Sequence, residues 1–211
     1  MPISAADNEF FIDFEDDTGA IDSEGYELSS NQVDFFKNSK CRDDVGALYL
    51  LYRAANQDYD IFDLNKIGSG AGNIYGKGFY FSSDKFSVES YGSIIKEYYL
   101  NLKNPFIYYP ADEDLDKFKT SLKTFLKVLK TNGYPVDREL ANTLYHDARR
   151  DGGLDTIIED TCGFDKVTDF FKKCNFDGIM NLEIGDFVAY YPEQIKLRAN
   201  RKPKASANSA L

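Results

Sequence analysis

Three polar side chains punctuate apolar segments of this 211-residue chain: Arg53, Tyr80 and Asp186. Tyr80 lies in Gly76-Lys77-Gly78-Phe79-Tyr80-Phe81-Ser82-Ser83-Asp84, where two glycines adjoin an aromatic run that ends in small polar residues. Glycines at 76 and 78 remove side chains where a planar group would lie against the main chain. Phe79, Tyr80 and Phe81 alternate across a strand, so Tyr80 faces opposite to its neighbours and can offer a ring face to that group. The expected chemistry is a cleft that takes a flat ligand, with this segment as one wall. Arg53 ends the apolar run Ala47–Tyr52, and Asp186 heads Phe187-Val188-Ala189-Tyr190. Taken singly, the three would be a surface arginine, a packing tyrosine and a turn aspartate.

The elements that must position them follow from periodicity. Ser29 or Ser30 caps a short helix running through Val33, Phe35 and Phe36 to Lys40. Asp43-Asp44-Val45-Gly46 turns into a buried strand, 47–52, which Arg53 closes. Residues 61–73 become glycine-rich and read as a loop over or beside the cleft. Their Gly-x-Gly-x-Gly spacing is not a phosphate loop, because a strand follows and no Gly-Lys-Ser/Thr ending does. Residues 85–91 form a helical turn or two, and 95–102 form a strand with Tyr98, Leu100 and Leu102 on one face. Leu115, Phe118, Leu122, Phe125, Leu126 and Leu129 recur every three or four residues, the stripe of an amphipathic helix. Residues 135–150 and 165–173 continue a helical insert spanning about 111–174. Strands 178–182 and 187–191, joined by Glu183-Ile184-Gly185-Asp186, close the fold.

Bulk properties narrow the function. At 43% hydrophobic and 15% aromatic the chain can bury a full core as one domain. A net charge of −10 argues against a surface that neutralises nucleic-acid phosphates. No apolar run reaches membrane-span length, and the start carries no basic and apolar leader, so a cytoplasmic protein is expected. Cys41, Cys162 and Cys174 lack CxxC spacing and read as reduced thiols, and with His146 as the one histidine no metal is expected. His146 reads as a surface residue. Residues 1–28 form an acidic arm interrupted by Phe10, Phe11, Ile12 and Phe14, and 199–211 a basic, polar tail expected to be disordered.

The chain resembles the ADP-ribosyltransferase family, and within it the poly(ADP-ribose)-polymerase-like branch of polyvalent proteins of phages and mobile elements. The resemblance covers about residues 29–198 outside most of the helical insert. Tyr75-Gly76-Lys77-Gly78-Phe79-Tyr80-Phe81 is similar to the family's Phe-Gly-Lys-Gly-Ile-Tyr-Phe strand. Asp186-Phe187-Val188-Ala189-Tyr190-Tyr191-Pro192-Glu193-Gln194-Ile195-Lys196 is similar to its closing Glu-Tyr-Val-Val-Phe-x-Pro-Glu-Gln-Ile-Lys. The lead-in 31–40 looks like the helix before the first catalytic strand. What the resemblance implies is an α+β fold, an ADP-ribosyltransferase-like split antiparallel β-sandwich with a helical insert, holding NAD between the sheets.

The resemblance also implies roles. Tyr80 stacks nicotinamide, and Asp186 is the carboxylate that stabilises the oxocarbenium ion formed as the glycosidic bond breaks. The polymerase-like branch has Tyr-His-Gly-Thr where this chain has Tyr52-Arg53-Ala54-Ala55. In the toxin-like branch an arginine on the first strand binds NAD phosphates, a task that suits a planar, always charged donor, and a serine motif on the second strand corresponds to Ser82-Ser83. Arg53, Ala54, Gly78, Tyr80, Ser82, Ser83 and Tyr91 are thus the expected NAD contacts. Asp186 stands where the family usually has glutamate, and Glu183 is the substitute acid. The expected function is mono-ADP-ribosyl transfer from NAD, as substrate, to a protein acceptor, set in a phage or mobile-element effector. An NAD glycohydrolase and a catalytically silent binding module are the alternatives. The acidic arm and the insert, as additions to the cleft strands, are candidates for acceptor docking.

Overall fold

The computed structural model describes residues 20–58, 61–67, 74–109, 114–150, 158 and 161–198. Most of the expected acidic arm, residues 68–73 of the glycine-rich loop and the basic tail lie outside the described residues.

Ser29 is the cap of helix α1 (Ser30–Phe36): its hydroxyl accepts from Gln32 N while Gln32 Oε1 accepts from Ser29 N, a reciprocal pair that satisfies two otherwise unpaired amides. Strand β1 (Leu51–Ala55) follows, then β2 (Phe79–Ser82), the single-turn helix α2 (Lys85–Val88), β3 (Ile94–Leu100) and β4 (Phe106–Tyr108). The insert comprises α3 (Leu115–Thr131), α4 (Arg138–Arg150) and α5 (Phe164–Lys173). Strands β5 (Gly178–Asn181), β6 (Asp186–Ala189) and β7 (Ile195–Leu197) complete the chain. Asp114 caps α3 through the amides of Asp116 and Lys117, and the helix buries the expected stripe of Phe118, Leu122, Phe125 and Leu129.

The first strand departs from expectation. Ala47, Leu48 and Leu50 are buried and Tyr49 half-buried, all outside the ladder, with Leu48 making only isolated bridges to Asp22 and Arg42. The ladder begins at Leu51 and runs through Arg53-Ala54-Ala55, paired with Lys96, Ile95 and Ile94 of β3. Arg53 is therefore mid-strand. The density of apolar residues at 47–50 reflects burial against Leu28, Phe36 and Cys41, which a strand and an extended core segment share. Strand β4 was not expected, and its parallel pairing with β5 makes the sheet mixed.

All seven strands form one sheet in the order β4-β5-β6-β2-β1-β3-β7. The expected split sandwich would have two sheets; here a single register pair, Tyr52↔Ser82, joins the β4-β5-β6-β2 part to the β1-β3-β7 part. The two parts fold toward one another. Three strands separate β5 from β3 in the ladder, yet a Cβ at Gly178 would stand 2.9 Å from Leu102, just past β3, and Asp177 accepts from Lys103 N and Asn104 N. Between them lies an interior core built from both parts, including Leu51, Phe81, Leu100, Met180 and Phe187. On the outer side, β5, β6 and Tyr80 cover the insert helices, while Tyr52 and Tyr99 cover α1 and Leu28.

Residues 20–28 lie against this second part. Asp22, 1% exposed, accepts from Tyr99 Oη at 2.7 Å and from the amides of Glu24 and Tyr26. Arg198, at the end of β7, stacks over the Tyr26 ring at 3.9 Å and pairs with Glu97 at 2.6 Å. Cys41 and Cys162 are buried thiols, Cys174 a half-buried one. His146 is exposed on α4 beside Tyr145, in keeping with its reading as a surface residue. No helix among the described residues is long and apolar enough to cross a membrane.

Candidate active site

Strands β1 and β2 are antiparallel neighbours that pair at Tyr52↔Ser82 and nowhere else. Beyond that pair Arg53-Ala54-Ala55 stays with β3 and Phe79-Tyr80-Phe81 stays with β6, so the two strands part into a fork. Strands that separate leave main-chain groups needing other partners. Arg53 supplies one, its Nη1 donating to the carbonyl oxygen of Tyr80 at 2.7 Å. The guanidinium lies 5.7 Å from the Phe81 ring centroid and 5.9 Å from that of Phe62, which packs in turn on Phe79 and Tyr98. Phe62 thus fixes part of the segment expected as a loop beside the cleft.

The Tyr80 ring is on the other side of β2. Its hydroxyl donates to Gly76 O at 2.7 Å and accepts from Tyr75 N at 3.0 Å, and the ring stacks on Tyr75 with centroids 6.3 Å apart. The phenol is pinned to its own loop. Arg53 and Tyr80 meet through Tyr80's main chain, with guanidinium and ring on opposite faces of β2.

Asp186 is the first residue of β6, half-buried and in register with Ser82 at the closed end of the fork. The β2–β6 register puts Tyr80 and Val188 opposite one another and Ser82 opposite Asp186, so period-two alternation leaves Asp186 and Tyr80 on the same face, one register pair between them. Ser82 Oγ is buried and accepts from Asp84 N, while Ser83 N donates to Gly185 O at 2.8 Å and ties β2 to the β5–β6 turn. Glu183 is exposed on that turn. Ala54 is half-buried toward α1, and Tyr91, 58% exposed, ends the one-turn helix Glu89–Tyr91. Gly92 draws this segment to the fork, since a Cβ there would run into the main chain of Ala55.

The glycines have a different reason from the one expected. Gly76 adopts φ +78°, in the left-handed region, and a Cβ there would stand 2.6 Å from Thr168 Oγ1, whose hydroxyl donates to Lys77 O. A Cβ at Gly78 would collide with Val188 Cγ1. The space that these glycines leave is taken by α5 and β6, so their absent side chains serve packing, and the ligand-facing reading of Gly78 is corrected. Sequence reasoning also missed Asn181, which is wholly buried and joins Tyr75 to the β5–β6 turn.

Electrostatically the clearest shift near the site is that of Asp84, held below the usual carboxylate range by hydrogen bonds from the Ser87 hydroxyl and the Phe86 amide, which it caps at the start of α2. Burial drives the Tyr190 phenol upward. Among the described residues no cluster of His, Cys, Asp and Glu is arranged to hold a metal.

A search of curated proteins finds no match. Among solved structures, a crystal structure of an anti-CRISPR protein aligns with 71% of this chain and 94% of its own at 10% identity and a TM-score of 0.37. A family model described as ADP-ribosyltransferase in polyvalent proteins matches residues 43–205, which contain Arg53, Tyr80, Glu183 and Asp186. The chain belongs to that family of ADP-ribosyltransferases found in polyvalent proteins.

Proposed function

We propose that this chain transfers a single ADP-ribose unit from NAD to a protein acceptor, in the cytoplasm of a cell that hosts a phage or mobile element. The observation that carries the reading is the fork between β1 and β2 within a chain of this family, with Arg53 on one prong and Tyr80 on the other. In this reading Arg53 turns its planar donor set to the diphosphate, within reach of the fork it now bridges. Tyr80 offers a face of its ring to nicotinamide, its hydroxyl being held by Tyr75 and Gly76. In this reading Ala54, Ser82, Ser83 and Tyr91 supply the remaining contacts to NAD.

Cleavage breaks the bond between ribose C1′ and the nicotinamide nitrogen, and nicotinamide leaves with the electron pair. The acceptor nucleophile adds to C1′ and gives up its proton. The positive charge that develops on the ribose is absent from the ground state, so a fixed carboxylate beside it lowers the barrier selectively. Asp186 takes that role from its register position opposite Ser82, one methylene shorter than the glutamate usual in the family. Glu183, exposed on the same turn, is the second acid.

The test is labelled NAD with host lysate, comparing the wild type with Asp186→Ala and Glu183→Ala. Labelled protein that disappears in Asp186→Ala and persists in Glu183→Ala supports the assignment; the reverse pattern overturns the role of Asp186. Nicotinamide release without labelled protein would make the chain an NAD glycohydrolase. Tight capture of a partner with no NAD turnover would make it a silent binding module.

A further inference from the structure

We infer that Asn181 is a positioning residue that couples the Tyr80 ring to the turn bearing both candidate acids; the catalytic consequence rests on the reading above, while the coupling itself does not. Asn181 closes β5 with its side chain wholly buried. Its amide nitrogen donates to Tyr75 Oη at 2.5 Å. Its amide oxygen accepts from Glu183 N at 2.9 Å and Ile184 N at 3.4 Å. One short side chain therefore holds two segments far apart in sequence.

Each end of the link leads into the candidate site. Tyr75 is buried, stacks on Tyr80 and donates its own amide to Tyr80 Oη, so the position of Tyr75 sets that of the Tyr80 ring. At the other end, Glu183 and Ile184 hang from the Asn181 amide oxygen, Gly185 N donates to Asn181 O, and Asp186 is the register partner of Asn181 itself. The carbonyl of Gly185 then accepts from Ser83 N, closing the path back to β2. Asparagine suits this task because it is both donor and acceptor and carries no charge. Leucine of similar size would remove the donor to the buried Tyr75 hydroxyl and the shared acceptor of two turn amides, so the two segments would no longer be tied through one side chain.

A ring and a carboxylate that act on the two ends of one breaking bond must be held at fixed separation, and a misplacement of about 1 Å can cost roughly 100-fold in rate. The link provides that separation. Tyr75→Phe removes one hydroxyl and keeps the ring stack; Asn181→Leu removes the whole amide.

The decisive measurement is amide hydrogen exchange on the wild type, Tyr75→Phe, Asn181→Leu and the double variant. Coupling predicts that Tyr75→Phe, although it leaves the turn untouched, speeds exchange at Glu183 and Ile184 by about tenfold or more, and that the double variant exchanges there no faster than Asn181→Leu alone. Unchanged exchange at Glu183 and Ile184 in Tyr75→Phe, or strictly additive effects, overturns the coupling. Nicotinamide release supplies the catalytic arm. Each single variant should lose roughly 10- to 100-fold in kcat with KM for NAD changed less than about threefold, and the double variant should lose no more than the worse single. If the wild type releases no nicotinamide, the enzymatic reading fails while the exchange data still decide the coupling. If the wild type turns over and both singles keep its kcat, the inference fails and the enzymatic reading stands.

Discussion

Arg53 Nη1 donates to the main-chain oxygen of Tyr80 at 2.7 Å, between strands that share no register pair at that level. The arginine does for the fork what a ladder amide would otherwise do, and it brings a forked cation to the place where the strands part. Arg53→Ala should raise KM for NAD by roughly 10- to 100-fold, the equivalent of losing one charge-assisted hydrogen bond. Arg53→Lys should recover little of it, because an ammonium cannot serve the carbonyl and an anion through one planar fork. Steady-state nicotinamide release over a range of NAD concentrations measures both, and full recovery with lysine would contradict the assignment.

Gly78 faces Val188 across β2 and β6. Gly78→Ala should cost about 1–3 kcal/mol of unfolding free energy through overpacking. Because the collision is with a valine methyl, Val188→Ala in the same chain should relieve part of it, so the double variant is less destabilised than the sum of the singles. Urea unfolding of the four proteins provides the cycle. A Gly78→Ala protein with unchanged stability but lost NAD binding would instead restore a ligand-facing role to this glycine.

Tyr190 is wholly buried and its hydroxyl has no hydrogen-bond partner among the described residues. Lys172 stands over its ring at 5.4 Å, which leaves the hydroxyl itself unserved. An unsatisfied buried hydroxyl costs on the order of 1–3 kcal/mol, so Tyr190→Phe should stabilise the protein by about 1 kcal/mol and raise Tm by a few degrees. Thermal unfolding followed by circular dichroism checks this, and a lower Tm would show that the hydroxyl is satisfied in solution.

Tyr99 donates to Asp22 in a buried setting, and burial followed by that hydrogen bond raises its phenol well above the ordinary value. The folded chain thus keeps the phenol protonated where the unfolded chain, with a pKa near ~10, begins to lose its proton. The contribution of Tyr99 is whole below about pH 10 and is lost as the pH climbs from there through the folded value. Urea midpoints should fall above about pH 10, and the fall should be shallower in Tyr99→Phe. Tyr52 and Tyr190 are shifted in the same direction, so the slope shrinks without vanishing. At neutral pH the same variant should cost about 1–3 kcal/mol, because Asp22 loses a donor in a buried site. An unchanged alkaline slope would remove Tyr99 from the account.

What could be read from residue order differs by element for physical reasons. The α3 stripe was legible because a 3.6-residue period over 17 residues admits one face, and β2 and β6 because aromatic alternation fixes a strand. Strand β4 was not legible: three residues after Asn104-Pro105 pair in parallel with β5, a partner about seventy residues away that no local pattern announces. Arg53 looked terminal because Ala47–Leu50 is as apolar as a strand, although its neighbours are core side chains instead of a ladder. Gly78 was misread because an absent side chain says that something approaches, not whether protein or ligand does. Asn181 passed unnoticed since a polar residue before a turn is ordinary in type, and its distinction is burial, which depends on Tyr75 more than a hundred residues earlier. Asp22, counted among the acids of the arm, is buried because Tyr99 and two amides satisfy it.

That satisfied carboxylate bears on how the acidic segment can be studied. A truncation at residue 28 would remove Asp22 from Tyr99 and Tyr26 from Arg198 together, so loss of acceptor labelling in such a protein would report a broken scaffold rather than a missing recognition element. Shortening the chain to begin at residue 20 keeps this anchor and isolates the question.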